Sequence, residues 1–203
     1  MPLCVAMAAC NGIFGGIYDT VPQEDAYPYG FIETTPTGGT IYVDATSYQR
    51  WTYLDFHRQT IDTANIFQDE PAPERWDIAL HRYDVKTNGG AAAETDVATL
   101  DAVAGATQLA LMPLTEDIDT SVVVDMSGMM QGLLERRSSK LNAVLGKWLD
   151  VNTSSMPPVY TMSNRIYVVR MADSSFAALQ FTNYINSASA KGYITIKYRY
   201  PIQ

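Results

Sequence analysis

Basic residues are scarce in this chain: Lys and Arg number 14 against 22 Asp and Glu, for a formal charge of −8 over 203 residues. A nucleic-acid partner is thereby disfavoured, because neutralising phosphates takes clustered Lys and Arg. Adsorption to anionic lipid through a basic face is disfavoured on the same ground. Cysteine is scarcer still. Only Cys4 and Cys10 occur, so the chain beyond residue 10 can form no disulfide of its own. Long apolar runs are missing too, and nothing reaches the roughly 18 residues that a membrane-spanning helix needs.

Histidine is limited to His57 and His81, a poor supply for a multi-histidine metal centre or a Ser-His-Asp triad. The chain holds no Gly-x-x-x-x-Gly-Lys-Ser/Thr phosphate loop, no His-Glu-x-x-His helix and no Gly-x-Ser-x-Gly elbow. A Gly-x-x-Gly string between residues 12 and 16 is weak. The acidic stretch TEDIDT, residues 115–120, lacks the spacing of a calcium loop and reads as a solvated turn. A carboxylate pair such as Asp117 with Asp119 has no second feature to make an active site of it. Catalysis is therefore the weakest reading.

What the chain does have is apolar and aromatic. Hydrophobic residues make up 47%, enough to bury a core. Thirteen Tyr, three Trp and six Phe suit a strand-rich protein. The opening MPLCVAMAACNG is uncharged, and its small residues run into Cys10. It resembles the end of a bacterial lipoprotein leader, without the usual basic start. On that reading residues 1–10 are a leader remnant, Cys10 is the lipidation site, and the lipid alone holds the protein to a membrane. Residues 11–39, rich in Gly, Pro, Thr and acidic residues, read as a tether and irregular entry. Residues 40–203 then form a single domain.

Within that domain, residues 40–57 alternate in short strand-like runs. WDIALHRYDVKTNGG reads as one central strand, apolar on both sides, stopped by Asn88-Gly89-Gly90. The alanine-rich residues 91–108 read as a long surface loop, and SVVVD, 121–125, as a short buried strand. From Met129 to Asp150 the period changes. Leu133, Leu134, Leu141, Val144, Leu145, Trp148 and Leu149 fall near i, i+3, i+4 and i+7, which predicts one long amphipathic helix with Ser127 as its N-cap. NTSSMPP, 152–158, is a loop fixed by prolines, and three strands close the chain near 165–172, 176–185 and 192–200. The expected fold is mostly β, with antiparallel sheets and one long helix.

WDIALHRYDVKTNGG, with VVVDMSGMMQG, KWLDV and YTMSNRIYVVRM further on, resembles the HmuY-type haem-binding lipoproteins of Bacteroidetes, over about residues 40–200. The resemblance implies a haemophore at the outer membrane, lipid-anchored at the cell surface or secreted. Such a protein takes haem b from host haemoproteins and passes it to a TonB-dependent receptor; homo-oligomerisation stays open. In the founding branch two histidines ligate the iron, and here neither histidine lies in the two gripping loops. The resemblance to branches that use methionine instead implies one thioether on each haem face, since haem iron accepts Met as an axial ligand. Met129 and Met156 are the expected pair, with Met126, Met130 and Met162 as alternatives. Met126 and Met130 otherwise read as core fillers, as do Met112, Met162 and Met171. His81 reads as a buried, hydrogen-bonded residue, His57 as surface or structural, and Trp76 as core. Tyr160 would stack on porphyrin or simply pack. Arg136, Arg137 and Lys140 are candidate cations for the haem propionates. The rival reading is a surface β-domain lipoprotein that binds glycan or a partner protein and no haem.

Overall fold

The structure, a computed structural model, describes residues 29–203. The leader, Cys4, Cys10, the Gly-x-x-Gly string and most of the expected tether lie outside the described residues. The described chain opens with β1 (Gly30–Thr35) and β2 (Gly38–Asp44), so regular pairing begins inside the stretch expected to be irregular. Then come β3 (Arg50–Asp55), β4 (Thr60–Asn65), β5 (Ile78–His81) and β6 (Asp84–Thr87). These four make an antiparallel sheet ordered β4-β3-β5-β6. Next are β7 (Ala91–Thr95), the four-residue helix α1 (Ala106–Leu109) and β8 (Thr115–Glu116). β9 (Ile118–Asp125) pairs with β10 (Glu135–Leu141), and β11 (Leu149–Asn152) with β12 (Val159–Met162). β13 (Ile166–Arg170), β14 (Phe176–Ile185) and β15 (Lys191–Arg199) close the chain. A seven-stranded antiparallel sheet runs β1-β2-β15-β14-β13-β7-β8.

The main core lies between the two large sheets. Ile41, Val43, Tyr167, Val169, Leu179 and Ile196 from one meet Leu54, Ile78 and Leu80 from the other. Each sheet is also covered on its far face. Ile166, Val168 and Ala178 pack on Val103 and Leu109 beside α1, while Trp51, Tyr53 and Ala79 pack on Val122 and Val124 of β9. Burial on both faces is why IALH and IYVVR read as continuous apolar runs. The closing strands fall where their alternation places them, with Ile194, Ile196 and Tyr198 buried.

Three expectations fail. The signature stretch is not one strand but a hairpin: β5 and β6 are joined at Arg82-Tyr83, with Arg82 at φ 53 and His81 opposite Asp84. The alanine-rich segment is no surface loop at its start. Ala91 to Ala93 are buried in β7, whose small side chains fit a strand covered on both faces.

The long helix is absent: among the described residues, the four-residue α1 is the one α-helix. Residues predicted to line one apolar face go to three places. Leu133 and Leu134 are exposed in a loop, Leu141 packs beside β9, and Val144, Leu145, Trp148 and Leu149 enter the main core. Two features break the helix. Gly132 turns at φ 74, where a helix cannot continue. Buried Asn142 uses its side chain to accept the Val144 and Leu145 N–H groups at 3.1 and 3.0 Å. The helical spacing over 141–149 is genuine but short, and corresponds to a single 3-10 turn at Leu145–Trp148. Between the breaks, ERRSSKL finds the open backbone of β9 and pairs with it.

Candidate functional site

The β9–β10 and β11–β12 hairpins pack on the large sheets but pair only within themselves, as two-stranded sheets. The first is fastened at its root. Asp117, just before β9, accepts from the Thr87 N–H at 2.6 Å and the Thr87 hydroxyl at 3.0 Å. Asn142, just after β10, donates its amide to Asp117 and to the Thr115 carbonyl, both at 2.9 Å. Both legs are thereby tied to β6. Asp117 is therefore a structural acceptor and not part of a solvated turn, and Asp119 pairs instead with Lys140 at 3.0 Å.

The far end of this hairpin closes where Asp125 faces Glu135, leaving residues 126–134 as its tip. Asp125 accepts from the Ser127 N–H and hydroxyl at 2.8 and 2.9 Å, which holds its carboxyl below the usual range. Ser127 thus closes a local turn and caps no helix. Beyond it, the Met129 N–H donates to the Met126 carbonyl, and the Leu133 N–H to the Gly128 carbonyl at 2.9 Å. Gly128 is required at this point: a Cβ there would lie 2.7 Å from the Leu133 carbonyl oxygen. The tip carries Met129 51% exposed and Met130 86% exposed, so Met130 is not a core filler. Met126 is half-buried.

The second hairpin closes where Asn152 faces Val159. Asn152 accepts from the Ser154 N–H and hydroxyl at 2.9 and 2.6 Å. Met156 sits at the tip, 88% exposed. Behind it Tyr160 stacks on Tyr184 with centroids 5.5 Å apart, meets Tyr83 edge-on, and lies under the Lys191 ammonium at 4.0 Å. Met162 is half-buried against the main core, and Met171 is buried within it. Met112 is partly buried under α1.

Nine large hydrophobic side chains are exposed among the described residues, and six of them are at these two tips: Met129, Met130, Leu133, Leu134, Met156 and Val159. Four of the six fall within residues 129–134 at a single hairpin end, and apolar surface concentrated in this way points to a binding role more than scattered apolar residues do. Met129 and Met156, the expected pair, are exposed at the tips, and so is Met130, which was expected in the core. Leu133 and Leu134 were missed, because helical spacing assigned them to a buried face; the flanking Gly128 and Gly132 were the available signal for a loop.

The histidines and Trp76 are structural. His81 is 1% exposed and its Nε2–H donates to the Tyr48 carbonyl at 2.7 Å. His57 meets the Tyr200 hydroxyl and lies 3.3 Å from Asp173. Trp76 is half-buried, edge-on to Tyr53. Lys86 lies over Trp51 at 4.1 Å and beside Tyr53 and Trp76; burial pushes its ammonium down to about 8, against the pull of Asp117. Arg136, Arg137 and Lys140 stand on β10, not on a helix. No group of His, Cys, Asp and Glu among the described residues could hold a metal ion. No helix among them is long and apolar enough to cross a membrane.

Fold and site together define a mostly-β protein of antiparallel sheets with apolar hairpin tips offered to solvent. Comparison with known proteins gives the class its family. The HmuY protein family model matches residues 47–198, and the chain belongs to the HmuY family. Among solved structures, a Bacteroides vulgatus protein named as HmuY-like and haem-binding is 44% identical, with a TM-score of 0.77 over 87% of this chain and 100% of that one. A Bacteroides fragilis protein named as a lipoprotein is 42% identical, with a TM-score of 0.79 over 89% and 99%. The apo HmuY analogue of Tannerella forsythia is 26% identical, with a TM-score of 0.70 over 84% and 100%. No curated protein matches the chain. The HmuY family is non-enzymatic, and the chain is not an enzyme.

Proposed function

We propose that this protein is a haemophore that holds one haem b between the tips of the β9–β10 and β11–β12 hairpins. Met129 and Met156 supply one axial thioether each. Met126, Met130 and Met162 are the alternatives, and the half-burial of Met126 and Met162 ranks them below the pair. The observation that carries the reading is that each of two hairpin ends exposes large apolar side chains, with the Met129, Met130 and Met156 thioethers among them. Leu133, Leu134 and Val159 would cover porphyrin faces, and their burial would drive binding at about 25 cal/mol per Å². Family membership supplies the ligand class.

The reading extends to the cell. Cys10 carries the lipid, the protein sits at the outer membrane surface or is released from it, and haem passes from host haemoproteins to a TonB-dependent receptor. The lipoprotein name of the Bacteroides fragilis relative supports the anchor.

Thioether sulfur is soft and favours ferrous over ferric iron. Titration with haem, followed by visible absorption, tests the site. We expect a sharp Soret band with the wild type, tighter binding after reduction, and loss of the band in Met129→Ala/Met156→Ala. A free-haem spectrum with the wild type would remove the reading in favour of a surface domain for glycan or protein. An unchanged band in the double variant would remove the two ligands.

A further inference from the structure

Haem carries two carboxylates as well as iron, and an acidic protein must either leave them in water or meet them with a chosen cation. Resting on the haem reading above, we infer that Arg136, backed by Arg82, binds a haem propionate at the side of the β9–β10 hairpin.

Three cations on β10 compete for this role, and the structure separates them. Arg137 is occupied: it donates to Glu135 at 2.6 Å, lies 3.8 Å from Asp69 and covers the Phe67 ring. Lys140 is held by Asp119 at 3.0 Å. Arg136 forms no ion pair among the described residues. Its strand partner is Val123, so it shares a face with Val123 and Ser121, opposite the buried Val122 and Val124. There it lines a cavity of about 260 Å³ with Arg82, Tyr48, Tyr83 and Ser121.

The cavity wall is built for an acceptor. Arg82 lies between the Tyr48 and Tyr83 rings, 4.7 and 5.2 Å from their centroids, and its Nη1 donates to the Thr46 carbonyl at 2.6 Å. That packing fixes the guanidinium in the wall of the cavity. The one carboxylate on the wall, Asp84, faces the buried His81 Nδ1 at 3.6 Å. Two guanidiniums, tyrosine rings and a serine suit a planar carboxylate, which arginine meets with two parallel hydrogen bonds.

Arg136 stands on the same hairpin that carries Met129. Val123 and Arg136 pair two strand residues below Asp125, where the Met129 tip begins.

Titrations of the full chain with haem and with its dimethyl ester, which lacks both charges, test the inference. The wild type should bind haem about tenfold more tightly than the ester, the size of one charge-assisted pair. Arg136→Gln should lose that preference while binding the ester as before, and Arg136→Lys should restore part of it. Equal wild-type affinity for haem and ester overturns the propionate contact but leaves the thioether site intact. So does an equal effect of Arg136→Gln on both ligands. A wild type with no Soret band overturns the haem reading and this one with it. Arg136 is exposed, so its variants should keep the wild-type unfolding midpoint.

Discussion

Asn142→Ala should cost more than any surface change near the hairpins, and the cost can be worked bond by bond. The side chain is 1% exposed and makes four hydrogen bonds. Two are donated, to the Thr115 carbonyl and the Asp117 carboxylate; two are accepted, from the Val144 and Leu145 N–H groups. Alanine removes all four. At about 1 kcal/mol for each neutral bond and somewhat more for the one to the carboxylate, the loss is about 4 kcal/mol. The buried Leu145 N–H keeps this figure from falling, because water cannot easily replace the lost acceptor. At about 2–4 °C per kcal/mol for a domain of this size, Tm should drop by about 8–16 °C. Asn142→Asp sharpens the test. It places a carboxylate oxygen where the amide now sits 2.9 Å from Asp117 Oδ1, so two like charges meet without a donor between them. One of the pair must then have a raised folded-state pKa, and its stability contribution is present at low pH and lost as pH rises through that value. Asn142→Asp should therefore be less stable than Asn142→Ala at pH 7, with the gap closing toward pH ~4. Urea unfolding at several pH values reads both effects. A loss below about 1 kcal/mol for Asn142→Ala, or an aspartate variant as stable as wild type at pH 7, would refute the account of the hairpin root.

Met129→Ala/Met156→Ala should shift the unfolding free energy by no more than about 0.5 kcal/mol, because both side chains are largely exposed; denaturant titration of the apo protein checks it. Gly128→Ala forces a Cβ against the Leu133 carbonyl, so the tip must open. Haem affinity should fall while the global unfolding midpoint stays near wild type. Lys86 has its folded-state pKa pushed down from 10.5 to about 8 by burial. Between those values the unfolded chain binds the extra proton, so stability should rise with pH from 8 to 10.5, and this rise should be missing in Lys86→Met under the same calorimetric scan.

The strands that carry the fold were legible because their apolar patterns report burial directly. Ile194, Ile196 and Tyr198 alternate, so one face was predictable; Ile166 to Val169 do not alternate, so two covered faces were. The long helix was misread because spacing alone does not record what lies between the apolar positions. Gly132 and Asn142 cut the segment, and ERRSSKL, which carries no apolar period of its own, took the pairing that β9 offered. The one-strand reading of the signature stretch failed for a related reason. A two-residue turn at Arg82-Tyr83 has no Gly, Asn or Asp to announce it, and the left-handed conformation falls on an arginine.

The site divides along the same line. Loop tips with Ser, Gly, Pro and methionine can be seen in a sequence, but whether a methionine there is exposed depends on whether the flanking residues fold over it. Spacing put Leu133 and Leu134 in the core, and a buried loop would have made Met129 and Met130 ordinary packing. Their exposure beside that of Met129 reverses the inference: a chain that leaves four large apolar side chains in water at one hairpin end is shaped by something that covers them. Selection among the charged neighbours needed the structure as well. Arg136 and Arg137 are adjacent in sequence and chemically identical. Only strand alternation and the positions of Glu135, Asp69 and Phe67 show that one is neutralised where it stands and the other lines a cavity with a second arginine, Arg82.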